Sequence, residues 1–496
     1  MASNTLGARL LRRKPVSTLI AETEGKNSLP AGAPEEGGRS GIHLRRSIGL
    51  WQLSSIGIGA TIGTGIFFVL NTAVPSAGPA VILSFVIAAI TAGLTALCYA
   101  EMASAIPVSG SSYSYAYATL GEGVAFAVGI CLLMEYGVSA SAIAVTWAEY
   151  LNKFFDLAFG FTIPEQFSGA PDSTHWFNLP ALLLVAMVCV LLIRGVSESV
   201  KVNAAMVAIK ILILVMFIGV ALTGFHSGNL TPFMPLGISG VQIAASSIFF
   251  SFIGLDAVST AGEEVKNPRR TLPMAIIISL VVVTLLYILV AVAGIGAQPW
   301  QKFDGQEAGL AQILQDITGQ SWPAMVFAFG AIVSIFSITL VVIYGQTRIL
   351  YSMGRDGMLP KRFAELSPRT GTPVWNTLVV GLGVGALAAF IPLRVLADIT
   401  SLGTLIAFSV VSIGVIVLRR TQPDLPRGFK VPGYPVVPLI SVGFCIYLIT
   451  GLHADTFRAG GIALAVALVV YFGYSIKHSR LEQEEQQSVS SDSSAD

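Results

Sequence analysis

Apolar residues run in long blocks along this chain, and polar residues gather in short joints between them. No Asp, Glu, Lys or Arg occurs from Ser47 to Ala100, Thr271 to Gln301, Ile317 to Thr347, Thr370 to Leu393 or Val431 to Ala454. A helix needs about 20 apolar residues to cross the hydrocarbon core of a bilayer, so each window holds one or two crossings. The short alternating strands of an outer-membrane barrel do not appear in the pattern. It predicts an all-α membrane protein with about 12 transmembrane helices. They begin near Ile48, Gly78, Val124, Leu179, Val202, Val241, Leu272, Trp322, Val374, Val395, Val437 and Ala459. Joints such as PVSGSS at 107–112 and KVPGYP at 430–435 separate several of them.

Two of these spans are interrupted. Span 1 contains Gly57, Gly59, Gly63 and Gly65 within nine residues, and each glycine weakens a helix by roughly 1 kcal/mol relative to alanine. Close helix packing through Gly59 and Gly63 is one reading of this stretch. Unwound backbone, tolerated in a bilayer only where protein or a cavity surrounds it, is the other. Span 6 carries Gly254, Asp256, Ser259 and Thr260 inside an apolar run. The two interruptions lie five spans apart, as expected of two inverted five-helix repeats with a solute site between them. The expected layout is a cytoplasmic N-terminal tail at 1–47 and a transporter domain at 48–476. Within that domain the repeats cover about 48–223 and 239–420, with extra helices at about 437–476, and a disordered cytoplasmic tail follows at 477–496.

Composition removes the soluble alternative. Charged residues make up 11% of the 496 residues and apolar ones 54%, with mean hydropathy +0.74, whereas soluble domains carry about 25% charged residues. If the N-terminus is cytoplasmic, 24 of the 29 Lys and Arg fall on that side and 4 outside, leaving Lys210 within span 5. This asymmetry predicts cytoplasmic termini. The four cysteines lie singly in apolar runs, the five histidines are scattered, and no HExxH, Walker A or nucleophile-elbow motif is present. Metal, ATP and nucleic-acid partners are therefore not expected, nor is enzymatic chemistry.

At the interruptions the chain resembles the amino acid–polyamine–organocation superfamily and, within it, the cationic amino acid transporters in their bacterial twelve-span form. The resemblance rests on GIGATIGTGIF at 57–67, FFSFIGLDAVS at 249–259 and EEVKNPRR at 263–270. It continues in YGQTR at 344–348, MGRDG at 353–357 and FKVPG at 429–433, with RRKPV at 12–16 before the first span. It implies that a substrate carboxylate sits on amides around Thr61, Thr64 and Gly65. The amine would meet carbonyls of Phe250, Ser251 and Ile253, with Phe250 also an aromatic lid. Ile343, one turn before Gln346, would face the substrate side chain, which argues for neutral substrates.

Charged residues inside a span are functional candidates by default. Glu135 in span 3 is read as a structural hydrogen-bonding group, a contact to the substrate or a proton acceptor. Asp256 is read as a cap of the broken segment or part of the polar core. Lys210 is either a fixed partner of Glu135 or Asp256 or the proton-coupling group, its ammonium stabilised by carbonyls of broken span 1 or by Glu135 and Asp256, and the resemblance implies that it replaces a sodium ion. Glu101 and Arg348, near span ends, are expected to snorkel or to pair as a gate. The expected function is secondary active transport of L-amino acids by alternating access in the plasma (inner) membrane. Proton-coupled uptake of cationic or neutral amino acids comes first, with an obligate exchanger and a non-transporting sensor as alternatives. No cofactor is expected beyond the proton gradient.

Overall fold

The computed structural model describes residues 10–23, 48–63, 65–108, 111–195, 200–260, 262, 265–368 and 370–476. Thr64, the acidic pair at 263–264 and both tail segments, 24–47 and 477–496, lie outside the described residues. Among the described residues the chain is helical and contains no strand. Eight helices are long and apolar enough to cross a membrane: Val69–Ala105, Glu122–Phe159, Val202–Thr223, Gly237–Thr260, Pro268–Ala297, Ser321–Arg355, Leu393–Thr421 and Ala454–Ser475. Shorter apolar helices at Leu179–Ile193, Val374–Phe390 and Val436–Ile449 supply spans 4, 9 and 11. Span 1 is the broken element Leu50–Thr61 plus Val69–Ala77, from which span 2 continues at Val81–Ala105.

Local chemistry places the ends of these helices. Asn178 caps span 4 by accepting from the amide of Ala181 at 3.0 Å, with Pro180 in the first turn, where its missing N–H costs nothing. Span 3 stops at Gly160, in left-handed backbone, whose N–H returns to the carbonyl of Asp156 at 3.0 Å.

The packing repeats after five spans. Span 2 packs on span 7, span 3 on span 8 and span 4 on span 9, and the halves of span 1 pack on the halves of span 6. Span 7 lies on the first half of span 1 as span 2 lies on the first half of span 6, and span 10 meets span 3 as span 5 meets span 8. Shifting by five exchanges these pairs. Because five is odd, the second half runs inverted, and the molecule is a 5+5 inverted repeat followed by two C-terminal helices.

Part of the predicted N-terminal tail is structured. A short helix, Val16–Thr23, follows an arm that pairs with the turn between spans 2 and 3. The Glu122 amide donates to the carbonyl of Arg12 at 2.8 Å and the Lys14 amide to that of Tyr117 at 3.2 Å. The Lys14 ammonium stands 3.8 Å from the Asp356 carboxylate at the end of span 8.

Candidate functional site

The first half of span 1 (Leu50–Thr61, half-helix 1a) ends where Gly63 takes φ +126°, and the second half (Val69–Ala77, 1b) resumes after an unwound stretch. In span 6, the half-helix Gly237–Ile248 (6a) passes through a tight turn at Phe249–Phe252. It then reaches Gly254 at φ +97° and the single turn Ala257–Thr260 (6b). Only glycine adopts these two conformations without strain, so the breaks fall where the sequence permits them.

The breaks lie against each other. A Cβ built on Gly254 would stand 2.8 Å from the carbonyl oxygen of Ala60. One built on Gly65 would overlap the Ser251 hydroxyl and lie 2.8 Å from Ser251 Cα and 2.9 Å from Phe250 Cδ1. The rings of Phe68 and Phe250 meet edge to face at 5.3 Å. The Ile253 amide donates to the carbonyl of Phe250 at 3.2 Å, leaving that oxygen a second lone pair. Thus Gly65, Phe250 and Ser251 form one buried contact, with Ile253 beside it.

Thr61 closes half-helix 1a. Its hydroxyl donates to Gly57 at 2.9 Å, and its carbonyl accepts from Tyr287 at 2.8 Å. Lys210, only 2% exposed, donates from Nζ to the Gly59 carbonyl at 2.9 Å. Gly59 is in the last turn of 1a, where carbonyls lack helical partners and the helix dipole is negative, so an ammonium is well placed there. The same Nζ would be 3.3 Å from a Cβ on Gly63, which brings the cation to the break itself.

Two acids lie on the span 6 and span 3 side of the core. Asp256 Oδ2 accepts from the Tyr136 and Ser111 hydroxyls, each at 3.4 Å, tying span 6 to span 3 and to the short helix Ser111–Thr119. Its carbonyl accepts from the amide (2.8 Å) and hydroxyl (2.6 Å) of Ser259, which starts the single turn of 6b. Glu135, 1% exposed, has no hydrogen-bond partner on either carboxyl oxygen among the described residues and interacts electrostatically with Asp256. Ser251 Oγ, Asp256 Oδ1 and Gln346 Oε1 are also buried without partners. Leaving such groups unpaired costs on the order of 1–3 kcal/mol each.

Span 8 also reaches the break in span 1, through Ile338, whose Cγ2 would be 3.4 Å from a Cβ on Gly63. Ile343 is fully buried, but it lies about 140° around the helix from Ile338. Its neighbour Gln346 packs on Gly137 and donates to the Leu133 carbonyl at 3.3 Å, on the span 3 segment that carries Glu135. Five residues of spacing put Ile338 and Ile343 on different faces of span 8.

Of the two roles expected near span ends, Glu101 takes pairing: it is buried and does not snorkel. It accepts from Arg419 at 2.7 and 2.6 Å and from the Val431 amide at 2.6 Å, with Arg427 at 3.4 Å. Arg348 instead lies over the ring of Tyr344 at 4.9 Å. Sequence reading overlooked Asp398, a buried acid near the start of span 10 whose only signal was one carboxylate in an apolar helix.

The amino acid permease family model matches residues 48–474. The chain belongs to the amino acid permease family. The permease is 42% identical over 478 residues to the branched-chain amino acid permease BcaP of Bacillus subtilis, covering 96% of this chain and 99% of the relative. It is 41% identical over the same length to the methylthioribose transporter of that organism, with the same coverage. A vacuolar cationic amino acid transporter of Arabidopsis thaliana is 37% identical over 388 residues, which is 77% of this chain and 64% of the relative. The permease is a multi-pass membrane protein and a transporter by family, not an enzyme.

Proposed function

We propose that this permease takes up L-amino acids through the plasma membrane by alternating access between its two inverted repeats, driven by the proton gradient without a bound cofactor. The observation that carries this reading is the break in span 1. There a buried ammonium, Lys210, rests on the Gly59 carbonyl beside Gly63, in contact with the break that bears Phe250 and Ser251. A zwitterion needs an anion-binding end and a cation-binding end within a few ångströms. The start of half-helix 1b offers the first and the carbonyls of Phe250, Ser251 and Ile253 offer the second. Thr64 and Gly65 would contribute amides to the carboxylate.

Lys210 is the proposed coupling group. A proton taken from it would release the Gly59 carbonyl and loosen the end of 1a, joining protonation to the geometry of the break. Glu135 and Asp256 would be its acidic counterparts in the polar core. Neutral branched-chain amino acids are the first substrates to test. The near full-length similarity to a branched-chain permease supports them, as does the apolar Ile338 side chain beside the break. Cationic amino acids come second, since unpartnered Glu135 could accept a basic side chain.

The test is uptake of labelled leucine, valine and arginine into proteoliposomes, with an inward proton gradient and with or without internal amino acid. Gradient-driven accumulation into empty vesicles is expected. Uptake only into preloaded vesicles would make the protein an obligate exchanger, and binding without uptake would make it a sensor. The termini are proposed to face the cytoplasm.

A further inference from the structure

Half-helix 6a carries Phe250 and Ser251 into the site, and its polar face is fastened from Gln242 to Ser247, up to the break itself. Gln242 donates from Nε2 to the Tyr447 carbonyl at 2.7 Å and to the Thr450 hydroxyl at 3.0 Å. The Ser246 hydroxyl donates to the Leu448 carbonyl at 2.6 Å. Gly451 lies so close that a Cβ there would be 2.5 Å from Ser246 Oγ. These contacts all go to the end of span 11 and the joint leading to span 12.

A buried acid completes the fastening. Asp398, near the start of span 10, accepts from the Ser247 hydroxyl at 3.1 Å on Oδ1 and meets His453 Nδ1 at 2.7 Å on Oδ2. Facing a carboxylate, Nδ1 must carry the proton and donate it. The Asp398 side chain is 2% exposed and that of His453 is 37% exposed, so the acid is sealed beneath a histidine that reaches the surface. Half-helix 6a and span 11 bring no charge to this cluster. On span 12, Asp455 and Arg458 lie 3.4 Å apart, and on span 10 Arg394 is exposed one turn before Asp398.

We propose that Asp398 is a positioning residue for substrate binding. Through Ser247 and His453 it latches half-helix 6a to the C-terminal helix pair and so holds Phe250 and Ser251 where they meet Gly65. Ser247 precedes Phe250 by three residues, less than one helical turn, so a shift of its anchor is transmitted directly to the site. The C-terminal pair lies outside the inverted repeat, and the latch gives it a role there: it is the fixed body against which 6a closes. A charged, doubly bonded carboxylate suits such a latch, because losing a hydrogen bond to a buried charge changes a closing equilibrium by roughly tenfold or more.

The inference rests on the transport reading only for its kinetic consequence, so the test has two arms. In lipid nanodiscs, amide hydrogen exchange over residues 242–253 is compared among the wild type, Asp398→Asn, His453→Ala and the swap of Asp398→His with His453→Asp. Exchange of those amides about tenfold faster in both single variants, largely restored by the swap, is expected. In proteoliposomes the single variants should raise the substrate KM by about tenfold while Vmax stays within about twofold, because the closed state becomes less populated. Unchanged exchange over 242–253 overturns the latch. So does faster exchange spread over all spans and not restored by the swap, which would mark a general folding role. A wild-type protein that fails to transport any amino acid would sink the transport reading alone, and the exchange arm would still decide the latch.

Discussion

Gly65→Ala adds a single methyl group where the two broken segments touch. That carbon would stand 2.8 Å from Ser251 Cα and 2.9 Å from Phe250 Cδ1, and would overlap the Ser251 hydroxyl. Nonbonded carbons settle at about 3.5–4.0 Å, so the segments must part by roughly 0.6–1.2 Å. Backbone lies on the Ser251 side of the contact, so a rotamer change does not relieve it. Overpacking of this kind costs about 1–3 kcal/mol, and a factor of ten in a population corresponds to about 1.4 kcal/mol. The closed state should therefore lose about 5- to 140-fold in population, and apparent substrate affinity should fall by a similar factor. The assay is thermal stabilisation of purified protein by the amino acid that stabilises the wild type most, followed by its dissociation constant. Gly461→Ala is the control, since a Cβ there meets no atom within 4 Å. If Gly65→Ala remains folded and binds within about twofold of the wild type, the segments do not close on the substrate and the site lies elsewhere.

Lys210→Arg should abolish amino acid accumulation driven by an imposed proton gradient, since arginine keeps its proton at any accessible pH. Full accumulation by this variant would make Lys210 a fixed charge on the Gly59 carbonyl and shift coupling to Glu135. Glu101→Gln removes the charge that Arg419 and Arg427 share at the joint between spans 10 and 11, and breaking a buried pair costs about 3–5 kcal/mol. The expected result is a clearly lower melting midpoint in detergent, with substrate affinity nearly unchanged in the protein that remains folded. A midpoint equal to that of the wild type would show that the remaining hydrogen bonds suffice. Single cysteines at positions 165 and 361 should be labelled from opposite sides of the membrane, and labelling of both from one side would refute the proposed sidedness.

The breaks in spans 1 and 6 were legible because a bilayer punishes exposed backbone. Glycines at 57–65 and 254 inside runs without charge leave few arrangements other than helix halves buried against protein. Their separation by five spans carried the inverted repeat as well, since an odd number of crossings reverses direction. Buried Lys210 stood out for the same reason, a charge where solvation is poor. What each of these groups touches was decided by the tertiary structure. Glu101 meets Arg419 across 318 positions, Ser247 meets Asp398 across 151, and Asp398 meets His453 across 55. Asp256 turned to the hydroxyls of Ser111 and Tyr136, and among the expected carbonyls of broken span 1 it is that of Gly59 that accepts from Lys210. Hydropathy and helical period set which residues must be buried and on which stripe of a helix they lie. The rotation and depth of each helix against its neighbours set the partners, and a shift of one residue, about 100° of rotation, replaces one partner with another. That is why Ile338 meets Gly63, and why the C-terminal helices, two ordinary apolar runs in the sequence, bond to the half-helix that carries Phe250 and Ser251.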